Sequence, residues 1–338
     1  MRSAADELAA AQHALGRPLQ FDEYLSISLY GIHGFYAVGG QAGRRGDFIT
    51  SPEVGPLFGA VISRWIEAEY ERLGRPDDFT VVEVGAGPGT LARAVLMHAP
   101  HWKGKYVAVE LSAAQRARHP EGVASTDSMP AAPVVGVVIA NELLDNLPFR
   151  LAVFDGGWRE ALVAVAHDGS LSEVLVSAPE EWAWLPAHAP HGARVPVQGT
   201  AADWVSAARS TLVTGSVLAF DYCTARTAML AAMPWREWLR TYRGHERGEH
   251  YLRNPGGQDI TTQVCLDQLP EATVVRSQAQ FLQRWGMADL VEEGIAIWNE
   301  QAARPNVHSL RMRSRVREAE SLSDPSGVGA FLAIEWRT

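Results

Sequence analysis

One short segment restricts the fold of this chain more than any other, because it turns a strand into a helix through three glycines. The apolar, β-branched run 79–85 predicts a buried strand, and the run 90–99 has the apolar spacing of a helix. Between them stands Glu83-Val-Gly-Ala-Gly-Pro-Gly-Thr90. Glycines at such a turn let the backbone approach a ligand, and the first N–H groups of the helix point at it. A dinucleotide fingerprint needs glycine where Thr90 stands and a P-loop needs a lysine, so the spacing excludes both.

Short strand-like runs continue to alternate with helical runs downstream of this turn. Alternation of this kind is typical of a parallel, doubly wound sheet. The sequence therefore predicts an α/β fold with a Rossmann-like sheet. The further predicted strands are 106–110, 123–126, 134–140 and 216–222, and a last strand closes the chain at 329–337.

The remaining pattern, E-x-G-x-G-x-G, is the first motif of class I methyltransferases that use S-adenosyl-L-methionine (SAM). Such a site needs an acid at the end of the next strand, about 20 residues on, to accept hydrogen bonds from the ribose hydroxyls. Glu110 ends the second strand, 21 residues after Gly89. The alternative is a glycine-rich turn with a solvated acid behind it. The predicted cofactor-binding residues are Glu83, Gly85, Gly87, Gly89, Glu110, Leu111, Asp127, Ser128 and Asn141. For Asp127 and Ser128 a plain surface loop is the alternative.

The fourth predicted strand ends in Asn141-Glu-Leu-Leu-Asp145. In an open α/β sheet the ligand crevice lies outside the carboxyl ends of the strands at the switch point, between the first and fourth strands. This segment is therefore expected to face the transferred methyl group. The segment is not the Asn/Asp-Pro-Pro-aromatic motif of amino-directed DNA methyltransferases, because Glu142 stands where that motif has a proline. Helix capping is the alternative role for Glu142 and Asp145.

An arginine acceptor would place a clear demand on the site. The guanidinium pKa is above about 12, so its nitrogen has to be gripped by carboxylates rather than deprotonated in advance. We expect catalytic roles for Glu142, Asp145, Asn141 and Asp47. The expected substrate-side residues are Glu53, Asp221, Tyr222, Asp259 and Thr261. Glu53 is alternatively the acid of a capping box begun by Thr50, and the other four alternatively stabilise loops.

The domain organisation is predicted to be discontinuous. Residues 1–78 are expected to form an N-terminal helical arm or lid, in which a helix begins at Thr50-Ser-Pro-Glu53 and Pro56 splits off its first turn. Residues 79–338 are expected to form the methyltransferase domain. It carries two insertions, an antiparallel β meander at 151–208 and acceptor-side loops at 225–269.

Charge and composition restrict the partners. The 30 Lys and Arg against 39 Asp and Glu give a net charge of −9, which disfavours nucleic acid and favours a cationic acceptor. Two cysteines match no zinc spacing, and no metal site is expected. The longest apolar run has seven residues, and Asp6 and Glu7 stand where a signal peptide is basic, so we expect a cytoplasmic protein without a membrane partner. A homodimer is a further expectation.

Several segments in order resemble one known family. GDFITSPEVGPLFG (46–59), VEVGAGPGTL (82–91), VAVELS (107–112), ANELLDNLP (140–148), FDY (220–222), PGGQDITTQV (255–264) and QAQFLQRWGM (278–287) are similar to the MidA-like methyltransferases, relatives of the mitochondrial complex I assembly-factor arginine methyltransferase. The resemblance spans roughly residues 20–290. It implies a class I SAM methyltransferase fold with an N-terminal segment over the site and, for the mitochondrial member, methylation of a protein arginine. The sequence departs from the family pattern in two segments: Gly-Ala-Gly-Pro-Gly replaces Gly-Pro-Gly-Arg-Gly at 85–89, and Cys223 replaces a glycine.

The leading functional hypothesis is a SAM-dependent methyltransferase that acts on a protein, plausibly on arginine. A small-molecule O- or N-methyltransferase is the first alternative, and a closed, aromatic, uncharged acceptor pocket would favour it. The second alternative is a non-catalytic, SAM-binding assembly factor that acts through its surface.

Overall fold

The computed structural model describes residues 3–38, 50–244 and 246–338. These residues form two compact units, each assembled from three stretches of chain. The meander unit comprises the described residues of 1–48, 144–206 and 222–270. The parallel-sheet unit comprises those of 49–143, 207–221 and 271–338.

The described residues form twelve α-helices, and local capping sets several of their ends. In the first helix, Ser3 accepts a hydrogen bond from the Asp6 N–H, and Gly16, at φ +66°, ends the helix. Among the described residues, no helix combines the length and apolar character that crossing a bilayer requires. The helices are α1 (Ala4–Leu15), α2 (Phe21–Tyr30), α3 (Phe35–Val38), α4 (Ser51–Val54), α5 (Pro56–Arg72), α6 (Thr90–His98), α7 (Ala113–Arg116), α8 (Gly199–Thr211), α9 (Thr227–Ala231), α10 (Gln278–Arg284), α11 (Met287–Gln301) and α12 (Val307–Ser323).

Seventeen strands lie within the described residues, and many of them are short. The strands are β1 (Leu19–Gln20), β2 (Thr80–Val84), β3 (Tyr106–Val109), β4 (Val123–Thr126), β5 (Val134–Asn141), β6 (Arg150–Phe154), β7 (Trp158–Val165), β8 (Leu171–Ser177), β9 (Arg194–Val197), β10 (Leu212–Asp221), β11 (Cys223–Thr224), β12 (Arg240–Arg243), β13 (Glu246–Arg247), β14 (Asp259–Thr261), β15 (Val264–Cys265), β16 (Val274–Ser277) and β17 (Leu332–Arg337).

The parallel-sheet unit is built on a seven-stranded sheet in the order β16-β17-β10-β5-β2-β3-β4. The five strands from β10 to β4 are mutually parallel. The last two, β17 and β16, run antiparallel to their neighbours. The chain passes from β2 outward to β3 and β4 and then crosses back to β5, which puts the switch point between β2 and β5. The predicted α/β fold with a Rossmann-like, mostly parallel sheet is confirmed.

Helix α5 explains why the parallel-sheet unit begins before residue 79. Its apolar stripe is fully buried in the core of this unit, where Phe58 lies 5.2 Å, ring centroid to ring centroid, from Phe220 of β10. Gly55, whose backbone is extended at φ 165°, stands between α4 and α5 and separates the two helices. The compact unit therefore includes α4 and α5, which the sequence analysis had grouped with the N-terminal arm of residues 1–78.

The meander unit contains the inserted antiparallel sheet. Strands β6, β7 and β8 pair antiparallel in succession, as expected of the meander predicted at 151–208. β9 pairs with β6. β1 pairs with Leu162 and Val163 of β7, which ties the N-terminal segment into the sheet. Residues 225–269, expected to be loops, contain α9 and the small sheet β13-β12-β14, and β15 pairs in parallel with β11.

Two glycines allow the central parallel strands to approach closely. A Cβ at Gly136 of β5 would lie 2.1 Å from the carbonyl oxygen of Thr80 of β2. A Cβ at Gly215 of β10 would lie 1.8 Å from the carbonyl oxygen of Gly136. Both glycines have φ near +150°, at +146° and +149°, a region open almost only to glycine. The spacing of β2, β5 and β10 therefore depends on the absence of side chains at these positions.

We predict that Gly136→Ala destabilises the protein strongly, because it combines backbone strain with a clash against main-chain atoms. The expected loss is about 3–5 kcal/mol in the free energy of unfolding. Gly104→Ala is the matched control: Gly104 also has positive φ, at +80°, but a Cβ there meets no atom within 4 Å. It should cost only about 1–2 kcal/mol. Urea unfolding of both variants measures the difference, and equal losses would contradict the proposed clash.

Candidate active site

The glycine turn after β2 has the geometry that its spacing predicts. Gly85, Gly87 and Gly89 have φ of +69°, +52° and +76°, so all three lie in the left-handed region that favours glycine. A Cβ at Gly87 would meet no atom within 4 Å, whereas one at Gly89 would contact Pro120 at 2.9 Å. The backbone at Gly87 is therefore open to close approach, and Gly89 is packed at the start of α6.

Glu110, the predicted ribose acid, lies against this turn. One carboxylate oxygen accepts a hydrogen bond from the Gly87 N–H at 2.9 Å, and the other accepts from the Ser112 N–H at 2.8 Å. Glu110 follows β3, which is the neighbour of β2 in the sheet, so strand order brings the acid and the glycines together. Next to it, the Leu111 side chain is 67% exposed. The sequence prediction that Glu110 and the glycines form one site agrees with this geometry.

Glu83 is buried beneath the turn. Its carboxylate accepts a hydrogen bond from the Tyr106 hydroxyl at 2.8 Å. Burial raises the pKa of Glu83 to about 7, while the Tyr106 hydroxyl and the backbone at Ala92, in the first turn of α6, favour the charged form. A direct contact between Glu83 and the cofactor stays a prediction.

Asn141 and Glu142 lie at the carboxyl end of β5, next to β2. The Glu142 carboxylate accepts hydrogen bonds from the Asn141 side-chain amide at 3.0 Å and from the Ser51 N–H at 3.3 Å. Burial, with a further contribution from Asp221, raises the pKa of Glu142 to about 8. Glu142 also has φ of +52°, which is strained for a residue with a side chain. Strain and a buried acid at a sheet switch point are typical of a functional position.

Two of the predicted cofactor-binding residues lie on the surface after β4. The Asp127 carboxylate is exposed and lies 3.9 Å from the Arg116 guanidinium. The Ser128 N–H donates to the Thr126 hydroxyl at 3.3 Å, which stabilises the turn. Their contact with a cofactor stays a prediction.

Glu53 does not form the predicted capping box. Its carboxylate accepts a hydrogen bond from the Thr90 hydroxyl at 2.6 Å, and the Thr50 side chain makes no capping hydrogen bond to α4. The capping interpretation is therefore wrong, because the tertiary contact with the first residue of α6 takes the carboxylate. Sequence reasoning missed Ser51 and Thr90 as partners of site residues, although both belong to the quoted family segments.

A second group of predicted residues lies in the meander unit. Asp259, at the start of β14, is buried and accepts hydrogen bonds from the Tyr36 hydroxyl at 3.0 Å and the Asn146 amide at 3.1 Å. The rings of Tyr30 and Tyr36 stack at 5.5 Å between centroids. Burial and the nearby carboxyls of Asp259 and Asp145 raise the pKa of Tyr36 well above its usual value. The sequence analysis had not singled out Tyr30 or Asn146.

The other predicted substrate-side residues are distributed between the units. Asp221 is fully buried at the end of β10 in the parallel-sheet unit. In the meander unit, the Arg240 guanidinium lies 5.3 Å from the ring centroid of Tyr222, and Thr261 ends β14, where it pairs with Arg240. The Thr262 N–H donates to the carbonyl oxygen of Asp145 at 3.0 Å.

The structure thus brings Glu110 to the glycine turn and Glu142 to Asn141 and Asp221 within one unit. The predicted pairing of Glu142 with Asp145 stays a prediction, since the two residues belong to different units. Asp47, the fourth predicted catalytic residue, lies outside the described residues. Within the ranges that the structure describes, no three His, Cys, Asp or Glu side chains are grouped so that they could hold a metal ion.

Comparison with known protein families gives one match over most of the chain. Residues 61–284 match the sequence profile of a family described as S-adenosyl-L-methionine-dependent methyltransferases. The match includes the glycine turn, Glu110 and the segment that contains Glu142.

Similar curated proteins match part of the chain. A Drosophila melanogaster protein named as a mitochondrial homolog of protein arginine methyltransferase NDUFAF7 is 31% identical over 207 residues, which cover 51% of this chain and 47% of that protein. The human protein arginine methyltransferase NDUFAF7 is 36% identical over 80 residues, or 23% of this chain and 18% of that protein. The chain thus matches about half the length of the Drosophila relative and less of the human one.

One solved structure is similar over nearly the whole chain. It is a Burkholderia thailandensis protein whose crystal structure contains bound S-adenosyl-homocysteine. The two are 25% identical, with a TM-score of 0.84 over 99% of this chain and 92% of that one. A second Burkholderia thailandensis structure, 24% identical with a TM-score of 0.84, has the same fold.

We predict that Glu83 makes stability pH-dependent. The pKa of Glu83 in the folded protein, about 7, lies above the ordinary 4.5. The protonated carboxyl therefore contributes to the free energy of unfolding fully below about pH 4.5, and this contribution is lost as the pH rises through 7. Glu83→Gln should flatten the decline of the unfolding free energy between pH 5 and 7 by up to about 1.4 kcal/mol per pH unit. Tyr106→Phe removes a donor that lowers this pKa and should extend the decline to higher pH. Urea unfolding from pH 5 to 8.5 measures both, and an unchanged slope in Glu83→Gln would contradict the assignment.

Proposed function

Because the chain belongs to the family of S-adenosyl-L-methionine-dependent methyltransferases, we propose that it transfers a methyl group from SAM to a protein acceptor, and that the acceptor is an arginine side chain. The observation that carries this proposal is the buried Glu142 carboxylate at the end of β5, beside the strand that leads into the glycine turn. The names of the Drosophila and human relatives support the arginine acceptor, although each matches only part of this chain.

The residues at the glycine turn fit SAM. The open backbone at Gly87 and the Glu110 carboxylate that follows β3 are suited to an adenosyl group with two ribose hydroxyls. The Asn141 side-chain oxygen is buried and has no hydrogen-bond partner within the described part of the chain, so it is available to a donor. SAM supplies a methyl group on a sulfonium, which is a good leaving group. Gly85, Gly87, Gly89, Glu110 and Asn141 would hold it.

Glu142 is suited to a cationic acceptor. A carboxylate that is already buried gains more from a guanidinium than an exposed one, because water does not compete for the charge. Its hydrogen bonds to Asn141 and Ser51 hold it in one orientation, which favours alignment of the acceptor nitrogen. The chain's net charge of −9 adds a field that attracts cations.

We predict that the protein binds both SAM and S-adenosyl-homocysteine, as measured by calorimetric titration. Gly87→Val places a β-branched residue at φ +52°, and Glu110→Ala removes the acceptor beside the turn. Each variant should weaken binding at least tenfold. Gly104→Val is the matched control, since Gly104 has φ of +80° in the same unit but lies outside the turn. Absence of binding to the wild-type protein, or unchanged binding by Gly87→Val, would overturn the cofactor assignment.

The acceptor is tested by transfer of a labelled methyl group into a cell lysate, followed by identification of the labelled species. We expect label in protein, on arginine. Label confined to a small molecule would contradict the protein acceptor. If the wild-type protein binds SAM but transfers no label, and the cellular function of Glu142→Gln and Asp145→Asn variants is normal, the protein acts as a non-catalytic assembly factor instead.

Methyl transfer should depend on the ionisation of Glu142. Only the ionised carboxylate of Glu142 pairs with a guanidinium, and its pKa is raised to about 8. We therefore expect kcat/KM to rise about tenfold per pH unit up to about pH 8 and to level off above it. Glu142→Gln should lower kcat/KM about 100-fold and remove this limb of the profile. Glu121→Gln, at an exposed position of the same unit, is the control. A profile that keeps its limb in Glu142→Gln would exclude Glu142 as the titrating group.

A further inference from the structure

Helix α4 contacts the candidate active site through two of its four residues. The Ser51 N–H donates to the Glu142 carboxylate at 3.3 Å, and the Glu53 carboxylate accepts from the Thr90 hydroxyl at 2.6 Å. A four-residue helix is not stable by itself, because one turn orders several residues for very few hydrogen bonds. The position of Ser51 must therefore be set by whatever holds α4.

A carboxylate from the far end of the chain supports the junction between α4 and α5. The Glu318 carboxylate of α12 accepts a hydrogen bond from the Leu57 N–H at 2.8 Å and another from the Ser314 hydroxyl. Helix α5 has no side-chain cap of its own, so Glu318 satisfies one of its first N–H groups with a negative charge at the positive end of the helix. Glu318 is 6% exposed, so water does not replace it.

Gly55, between the two helices, shows how closely this carboxylate is packed. A Cβ at Gly55 would lie 2.2 Å from the carboxyl carbon of Glu318. The extended backbone of Gly55 is open to any residue, so space for Glu318 is the reason for glycine here. A side chain at Gly55 would therefore displace the Glu318 carboxylate from its place beside the Leu57 N–H.

A second connection links α12 to α4. Gln278, fully buried at the start of α10, accepts a hydrogen bond from the Ser51 hydroxyl at 2.8 Å and donates to the carbonyl oxygen of Leu322 in α12 at 3.2 Å. Gln278 thus binds Ser51 directly, Glu318 holds the junction that follows α4, and the Ser51 N–H points at Glu142.

We propose that Glu318 is a positioning residue for Glu142, acting through the α4–α5 junction to hold the Ser51 N–H against the Glu142 carboxylate. The role of Glu142 in methyl transfer rests on the proposed function, but its positioning does not. Glu142 is faced by Asp221 from β10, which opposes its ionisation, and by Asn141 and the Ser51 N–H, which favour it. The Ser51 N–H stabilises the charged carboxylate against the effects of burial and Asp221. Without this donor the pKa of Glu142 rises further.

The direct test is a carbon-13 NMR titration of the full-length protein labelled at glutamate carboxyls, with the Glu142 signal assigned by its loss in Glu142→Gln. Glu318→Ala should raise the Glu142 pKa by at least half a unit. Glu318→Gln, which keeps an oxygen for the Leu57 N–H, should restore a nearly wild-type titration. Gly55→Ala disturbs the same contact from the other side and should also raise the pKa, so the test stands if Glu318→Ala does not fold.

An unchanged Glu142 pKa in folded Glu318→Ala or Gly55→Ala would overturn the proposal, as would an equal shift in Glu318→Gln. Once a methyl acceptor is identified, the rising limb of the kcat/KM profile should lie at higher pH in Glu318→Ala than in the wild-type protein. In Glu318→Gln it should lie at the wild-type position. The titration needs neither SAM nor an acceptor. A protein that transfers no methyl group but shows the shift would refute the proposed function and leave the positioning role of Glu318 in place.

Discussion

The candidate active site depends on one buried interaction beneath the glycine turn. The Glu83 carboxylate of β2 accepts a hydrogen bond from the Tyr106 hydroxyl of β3, and so connects the two strands whose carboxyl ends carry the glycine turn and Glu110. The three glycines of the turn lie in the left-handed region, which costs conformational entropy, and this buried hydrogen bond fixes the strand that leads into them. With the turn held, the Gly87 N–H is directed at Glu110, and the first turn of α6 presents Thr90 to Glu53.

The parallel-sheet unit retains features that lower its stability at the positions where chemistry is proposed. Glu142 combines a strained backbone with a buried carboxyl whose pKa is raised to about 8. Each feature is unfavourable by itself, of the order of 1–3 kcal/mol for the strain alone. Both persist because Asn141, Ser51 and the packing behind α4 leave the side chain no alternative position. Glu83 is also a buried acid whose pKa is raised, and its hydrogen bond with Tyr106 joins two adjacent strands.

Local patterns predicted the residues whose role depends on neighbours in sequence. The parallel strands, the glycine turn and the acid after β3 follow from hydrophobic periodicity and spacing, and strand order in the sheet then brings Glu110 to Gly87. The prediction failed where a polar side chain had two possible partners. Glu53 satisfies the local spacing of a capping box, yet it binds Thr90, which is 37 residues away.

The sequence by itself determined the α/β fold, the glycine turn and the acid that lies beside it, because each rests on backbone preferences and periodicities that act over a few residues. Only the tertiary structure decided which unit α4 and α5 join, which donors face Glu142, and that a glutamate near the C-terminus supports a helix near residue 57. Those outcomes depend on which buried polar groups can be paired once the core is packed. That pairing is a property of the whole unit, and no local stretch of sequence encodes it.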